Sequence, residues 1–239
     1  MSDFHFRLFG FPVTIQPVFW LTAALLSAMI CDRIENMSNA NMSDWIGKML
    51  IVMSAILVSI LVHELGHGLA YRYIVRVESS LIVHGFGGLT VPVHQHHRRR
   101  GFIGMVQESF LAFAGPFAGF ILAAAVLLMF YIMPPVPDHS PAAPLFRFWL
   151  DTIFFISVVW GIFNLLPIFP MDGGFILREV FSYIFPRSGE KNTYIFSLTL
   201  SVVLAAVSLL YNEFYITVLF ALFAYQNYQR LTFMSFRHW

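Results

Sequence analysis

Long segments with very few charged residues constrain the fold of this 239-residue chain more than any other feature of its sequence. A helix that crosses a lipid bilayer needs about 20 predominantly apolar residues. Six segments have this character: 16–31, 45–73, 102–133, 146–166, 193–210 and 215–231. The sequence therefore predicts an all-α polytopic membrane protein with about six transmembrane helices.

The composition excludes several other classes of protein. Hydrophobic residues make up 58% of the chain and charged residues 11%, whereas a soluble domain has about 45–50% and about 25%. A typical cytosolic enzyme, a disordered chain and a nucleic-acid-binding protein are therefore excluded, and the lipid bilayer is the predicted surrounding. The single cysteine, Cys31, excludes an internal disulfide and a cysteine-based zinc site.

The positions of lysine and arginine predict the orientation in the membrane, because these residues are enriched in cytoplasmic loops. If the N-terminus is cytoplasmic, only Arg33, Lys48 and Arg147 of the 14 basic residues lie outside. Both termini and the loop 74–101 are then cytoplasmic. The histidines and arginines at 94–100 are interpreted as a solvated loop attracted to lipid headgroups, with a second metal site as the alternative.

The motif His63-Glu64-Leu65-Gly66-His67 lies near the predicted cytoplasmic end of the second segment. Helical residues four apart share a face, so the two imidazoles can bind one zinc ion. Glu64 is displaced around the helix and can act as a general base instead of a ligand. Ionisable residues inside a membrane span are costly and usually functional, which favours a metal site.

A catalytic zinc site usually has a third protein ligand. Glu108, Asp151 and Asp172 are the candidates within the predicted spans. Asp151 is predicted near the outer face, far from the histidines, whereas Asp172 is predicted on their side of the membrane. Glu108 is interpreted either as a partner that orients a ligating histidine or as a residue at the cytoplasmic boundary.

The segment 164–174 is predicted to be an opened helix that carries Asp172. Pro167 and Pro170 break helices, and Gly173 and Gly174 are expected to allow positive φ after the aspartate. Non-helical backbone at this depth is tolerated where it lines a cavity, so this segment is interpreted as a ligand-bearing loop, with a simple helix end capped by Asp172 as the alternative. Asn164, at its start, is expected to hydrogen-bond a substrate backbone, with simple packing between helices as the alternative.

Two β-prone runs, 81–83 and 89–91, flank a glycine cluster and predict a hairpin in the cytoplasmic loop. The alternating segment 4–9 is expected to add a strand, which gives a small membrane-associated sheet. An edge strand can hold an extended peptide by strand addition. Leu89 is expected to be one of the edge donors, and a purely structural sheet is the alternative.

These motifs together resemble the site-2 protease family of intramembrane zinc metalloproteases. The sequence 63–67 matches the family's HExxH motif, and 164–173 matches Asn-x-x-Pro-x-x-x-x-Asp-Gly. Residues 84–90 resemble the family's glycine-bearing hairpin, and 114–116 resemble its third-helix motif. The family often has Asn where this chain has Gly119. PDZ and CBS domains are expected to be absent, which predicts a minimal form with one metalloprotease domain over 1–239.

The resemblance implies a zinc endopeptidase that cleaves transmembrane segments near the cytoplasmic face. One Zn²⁺ per chain is expected, with His63, His67 and Asp172 as its ligands and Glu64 as the base. The residues expected to contact substrate are Asn164, Gly85, Phe86, Gly87 and Gly88. The substrate is expected to be a transmembrane protein already cut by another protease. The expected location is the bacterial inner membrane.

Two alternative functions are compatible with the same residues. One is a zinc-binding membrane transporter or sensor, although transporters usually carry repeats with polar groups in both halves. The other is a different membrane zinc protease, whose third ligand would be Glu179 on a later helix.

Overall fold

A computed structural model describes residues 2–34, 42–85, 87–94, 101–132 and 143–236 of the chain. Four strands occur in this part: β1 (Phe4–Leu8), β2 (Phe11–Ile15), β3 (Ser79–His84) and β4 (Gly87–Pro92). Seven α-helices occur in it: α1 (Pro17–Ile34), α2 (Met42–Ala70), α3 (Gly101–Ile132), α4 (Ala143–Asn164), α5 (Asp172–Ile184), α6 (Gly189–Leu210) and α7 (Phe214–Phe236). A π-helical turn, Tyr71–Val75, follows α2.

Four helices of the described residues are long and apolar enough to cross a membrane: Met42–Val75, Gly101–Ile132, Pro144–Asn164 and Gly189–Leu210. They correspond to the second to fifth predicted segments. The apolar part of α1, Pro17–Cys31, is shorter, and α7 does not meet the same requirement. A mostly helical membrane protein with a small sheet is therefore confirmed, and four of the six predicted spans are supported.

The strands form one sheet with the order β1-β2-β3-β4. β1 and β2 are an antiparallel hairpin whose turn residues, Phe9 and Gly10, both have positive φ. β2 pairs with β3 in parallel, with Val13 opposite Leu81, and β3 pairs with β4 antiparallel. The predicted hairpin and N-terminal strand are confirmed, and β2 is an additional strand. β4 lies at an edge of the sheet.

The chain divides into two compact units. The first contains Met1–His96 and Ala114–Gly161. Its core includes the inward side chains of β2 and β3, which alternate along each strand as the two-residue period requires. Phe11 and Leu81 are fully buried there and belong to the same cluster as Ile60 of α2. Because α2 contacts β3 and β4 directly, the sheet lies against the helix that carries the HExxH motif.

The second unit contains His97–Phe113 and Ile162–Trp239. In it α4 ends at Asn164, two residues earlier than the predicted segment, and α5 begins at Asp172. The helix α5 was not predicted from the sequence. Ile168 and Met171, in the loop between α4 and α5, pack with Phe220 of α7. The loop that leads to Asp172 is therefore anchored in the core of this unit.

Candidate metal centre

His63, Glu64 and His67 lie in the buried part of α2, and their exposed fractions are 3%, 3% and 8%. The two imidazole rings share one face of the helix, with centroids 5.0 Å apart. One helical turn separates them, as the i,i+4 spacing predicts. A buried pair of imidazoles in an apolar helix is a favourable start for a metal site.

Gly115 of α3 faces both of these imidazoles. A Cβ atom at this position would overlap His67 Nε2 and would lie 2.7 Å from His63 Nε2. Both Nε2 atoms therefore converge on the same place, and only glycine leaves room there. Gly66 of α2 also packs closely on α3, because its Cβ would lie 2.6 Å from the Ala118 Cβ. The contact of Gly115 with the two imidazoles explains why the 114–116 motif has glycine at its second position.

Replacing Gly115 with alanine is expected to weaken zinc binding by about 10–100-fold, because the new methyl group displaces both Nε2 atoms. Gly119→Ala is the matched control, since a Cβ at Gly119 meets only the Ser157 carbonyl oxygen at an ordinary 3.5 Å. Zinc affinity is measured by competition with a chelator. Equal affinities for the two variants would contradict the assigned convergence of the imidazoles.

The Glu64 carboxylate lies against β4. The Thr90 hydroxyl is 2.7 Å from Glu64 Oε2 and 3.0 Å from the Glu64 carbonyl oxygen. A Cβ atom at Gly88 would overlap the Glu64 side chain, so glycine is required at this close contact. Gly88 and Thr90 are two residues apart and share one face of the strand. Thr90 was not predicted from the sequence as a partner of the carboxylate, because it lies 26 residues from Glu64 in the chain.

His84, the last residue of β3, is half-buried near the same carboxylate. Burial lowers the pKa of its imidazole, and the charge of Glu64 opposes this effect only in part. The lowered pKa favours the neutral form of this imidazole.

The glycines at the turn of the hairpin contact helices of the same unit instead of Glu64. A Cβ at Gly85 would lie 2.7 Å from Val18 Cγ1 of α1. Gly87 has φ +128°, and its Cβ would lie 2.7 Å from the Trp160 ring of α4. Phe86 lies outside the described residues. Of the hairpin residues expected to contact substrate, the structure describes three, and Gly88 is the one of these that faces Glu64.

Asp172 begins α5, where a carboxylate in the first helical turn is favoured by the helix dipole. Gly173 and Gly174 follow it within the helix and do not have positive φ, so that expectation was wrong. They are required for another reason: their Cβ atoms would overlap the Leu165 carbonyl oxygen and the backbone between Ile168 and Phe169. The α4–α5 loop folds directly onto the first turn of α5.

Asp172, His63 and His67 form a group whose potential ligand atoms all lie within 4.8 Å of one another. Two buried imidazoles and one carboxylate are a donor set that zinc prefers, so these residues fit the expected metal. Among the described residues Glu179 is not in this group and pairs with Arg178 at 3.1 Å. Asn164, the last residue of α4, is half-buried. Glu108 and Asp151 are also outside the group.

Known proteins with similar sequences are metalloproteases and a sporulation protein. The family model described as Peptidase family M50 matches residues 136–208. Zinc metalloprotease MJ0392 of Methanocaldococcus jannaschii is 28% identical over 178 residues, which cover 74% of this chain and 44% of that protein. Stage IV sporulation protein FB of Bacillus subtilis is 26% identical over 245 residues, which cover 94% of this chain and 69% of that protein.

A solved structure shares the fold. The site-2 protease from Methanocaldococcus jannaschii matches with a TM-score of 0.61 and 21% identity, and the match covers 96% of this chain and 95% of that one. The overall fold is thus the one seen in that solved structure. The predicted resemblance to the site-2 protease family, peptidase family M50, is confirmed.

Proposed function

We propose that this chain is a zinc-dependent intramembrane endopeptidase and that residues 1–239 form its metalloprotease domain. The observation that carries the proposal is the group of His63, His67 and Asp172, with Glu64 on the same helix as the histidines. The names of the relatives support zinc as the metal. The apolar helices support a substrate within the membrane.

The proposed reaction is hydrolysis of a peptide bond. A bound zinc ion would supply Lewis-acid chemistry, because it lowers the pKa of water to about 7 and polarises the scissile carbonyl. Glu64 would take a proton from the attacking water and later pass it to the leaving amine. The Thr90 hydroxyl, 2.7 Å from Glu64 Oε2, would hold the carboxylate in one orientation.

The substrate is proposed to bind in an extended form, because the hydrogen bonds and side chains of a helix shield its peptide bonds from attack by water. β4 is an edge strand that contacts α2 beside Glu64, which supports strand addition at this edge. Asn164 is proposed to hydrogen-bond the same substrate backbone. Gly88 would let the substrate approach the carboxylate closely, because it has no side chain of its own.

The proposal also covers the membrane in which the protein lies and the state of its substrate. We propose that the protein lies in a bacterial inner membrane with both termini in the cytoplasm, and that α1 and α7 also lie in the bilayer. The excess of basic residues in the inside segments supports this orientation. Cleavage would then occur near the cytoplasmic face, on a transmembrane protein that another protease has already cut.

The test uses the full chain reconstituted in lipid vesicles with a labelled transmembrane substrate. Chelation is expected to abolish cleavage, and added Zn²⁺, but not Mg²⁺, is expected to restore it, because the donor set favours zinc over magnesium. The same vesicles report zinc uptake with an internal fluorescent indicator. Zinc uptake without cleavage would overturn the proposal in favour of a transporter.

A further inference from the structure

Two fully buried side chains hold both backbone polar groups of one residue, Phe169, in the α4–α5 loop. The Phe169 N–H donates to Ser197 Oγ of α6 at 3.0 Å. The Asn227 Nδ2 of α7 donates to the Phe169 carbonyl oxygen at 2.6 Å and to the Phe223 carbonyl oxygen at 2.8 Å. Ser197 and Asn227 both have an exposed fraction of 0%. Phe169 is thus held from two helices at once.

The backbone groups of Phe169 bond to side chains instead of to other backbone groups. The N–H groups of Ile168 and Met171 donate to loop carbonyls at 2.7 and 2.8 Å. Between them, Phe169 uses side-chain partners, and Pro170 has no N–H to donate. The Phe169 ring also packs on Tyr194 and Phe175, with centroids 5.3 and 5.0 Å apart. The position of this residue is therefore set by α6 and α7.

The amide of Asn227 is not explained by stability alone. Its Oδ1 is buried and has no hydrogen-bond partner among the described residues. A buried polar atom without a partner costs free energy, and an apolar side chain of similar shape would avoid this cost. The feature that asparagine adds over such a side chain is its Nδ2 hydrogen bond to the loop.

We propose that Ser197 and Asn227 are positioning residues for Asp172. They hold the backbone of Phe169, three residues before Asp172, and the tight contacts of Gly173 and Gly174 with the loop carry this constraint to the start of α5. The carboxylate is thereby kept where it can complete the metal group. The inference rests on the proposed function, since it takes Asp172 as a zinc ligand.

The chain offers a matched control for Ser197. Ser201 lies one turn further along α6, is also 0% exposed, and its Oγ has no hydrogen-bond partner among the described residues. Ser197→Ala leaves the buried Phe169 N–H unsatisfied, whereas Ser201→Ala removes a hydroxyl that binds nothing in the described chain. Asn227→Leu is the second test variant, and it removes the bond to the Phe169 carbonyl oxygen.

Zinc affinity is measured by chelator competition, and the coordination geometry is followed by the visible absorption of the Co²⁺-substituted protein. Ser197→Ala and Asn227→Leu are each expected to weaken zinc binding by about 10-fold and to alter the Co²⁺ spectrum. Ser201→Ala is expected to match the parent. At a higher concentration of free zinc, the Ser197→Ala protein is expected to regain cleavage and to show the KM of the parent. A misfolded protein would not regain cleavage when zinc is added.

Asp172→Ala separates a failure of this inference from a failure of the proposed function. If Asp172→Ala binds zinc as the parent does, the ligand set and the proposed function are wrong. If Asp172→Ala loses zinc while Ser197→Ala keeps the affinity and spectrum of the parent, positioning is overturned and the ligand set stands. Equal weakening by Ser201→Ala would also overturn it, because the effect would not depend on the Phe169 hydrogen bond.

Discussion

The Glu64→Gln protein is expected to keep one zinc ion per chain and to lose peptide cleavage by about 10³-fold or more. Glutamine has nearly the same shape as glutamate, but it cannot accept the proton that the base removes from water, and general acid–base catalysis contributes about 10²–10⁴-fold. The Glu64 side chain is 3% exposed, so bulk water provides no substitute base at the same position. Zinc content and the cleavage rate are measured on the same purified samples.

The matched control for this variant is Thr90→Val, which removes the hydroxyl partner of Glu64 but keeps the carboxylate. It is expected to slow cleavage by about 10-fold and to leave zinc content unchanged, because the base remains but is held less firmly. Loss of zinc from Glu64→Gln, with the fold intact by circular dichroism, would place Glu64 among the ligands. Cleavage at the parental rate would remove it from the mechanism.

Features that depend on residues close together in the chain were predictable from the sequence. The two imidazoles lie one helical turn apart, so their shared face follows from the spacing alone. The β3–β4 hairpin follows from the alternation on either side of a glycine cluster. Both are decided within about ten residues, and both are confirmed by the structure.

The helix α5 was missed because its sequence carries contrary signals. Two prolines precede Asp172, and Gly173 and Gly174 in the first turn have low helix propensity. They are tolerated because the α4–α5 loop packs against them too closely for any side chain. Since that packing is formed by the loop itself after folding, tertiary contact overrides local propensity here.

The side chains that hold the candidate site were also beyond single-sequence analysis. Asn227 and Phe169 are 58 residues apart, and Thr90 and Glu64 are 26 apart. No periodicity connects positions at such distances. These partners become visible only when the helices and the strand are packed together.

The register of the hairpin changes which residue offers a donor to substrate. The Val93 N–H donates to the Glu78 carbonyl oxygen at 2.8 Å, and Ile82 is opposite Leu89 in the same register. Hydrogen-bonded and non-hydrogen-bonded pairs alternate in an antiparallel ladder, so the Leu89 N–H points to β3. The expectation that Leu89 is an edge donor was therefore wrong. The N–H groups of Gly88 and Thr90 point to the open edge.

Thr90→Pro is accordingly the variant that tests strand addition at β4. Proline removes the outward N–H and its ring obstructs pairing at the edge, whereas Thr90→Val removes the same hydroxyl and keeps the N–H. We expect Thr90→Pro to cleave a substrate with a stable transmembrane helix about 100-fold more slowly than Thr90→Val does. Zinc is expected to stay bound in both variants. The loss should appear mainly in KM, because the extended substrate loses a backbone hydrogen bond at this edge.

A second substrate with glycines in its transmembrane segment distinguishes loss of strand addition from damage to the site. Glycine lowers the cost of leaving the helix by about 1 kcal/mol per residue, so this substrate needs less binding energy to become extended. Thr90→Pro is therefore expected to recover part of its activity on the glycine-containing substrate. If Thr90→Pro cleaves both substrates as fast as Thr90→Val does, the β4 edge is structural and another element must hold the extended chain. If it loses both activities together with zinc, the substitution has disturbed Glu64 and its helix, and the strand-addition proposal fails this test.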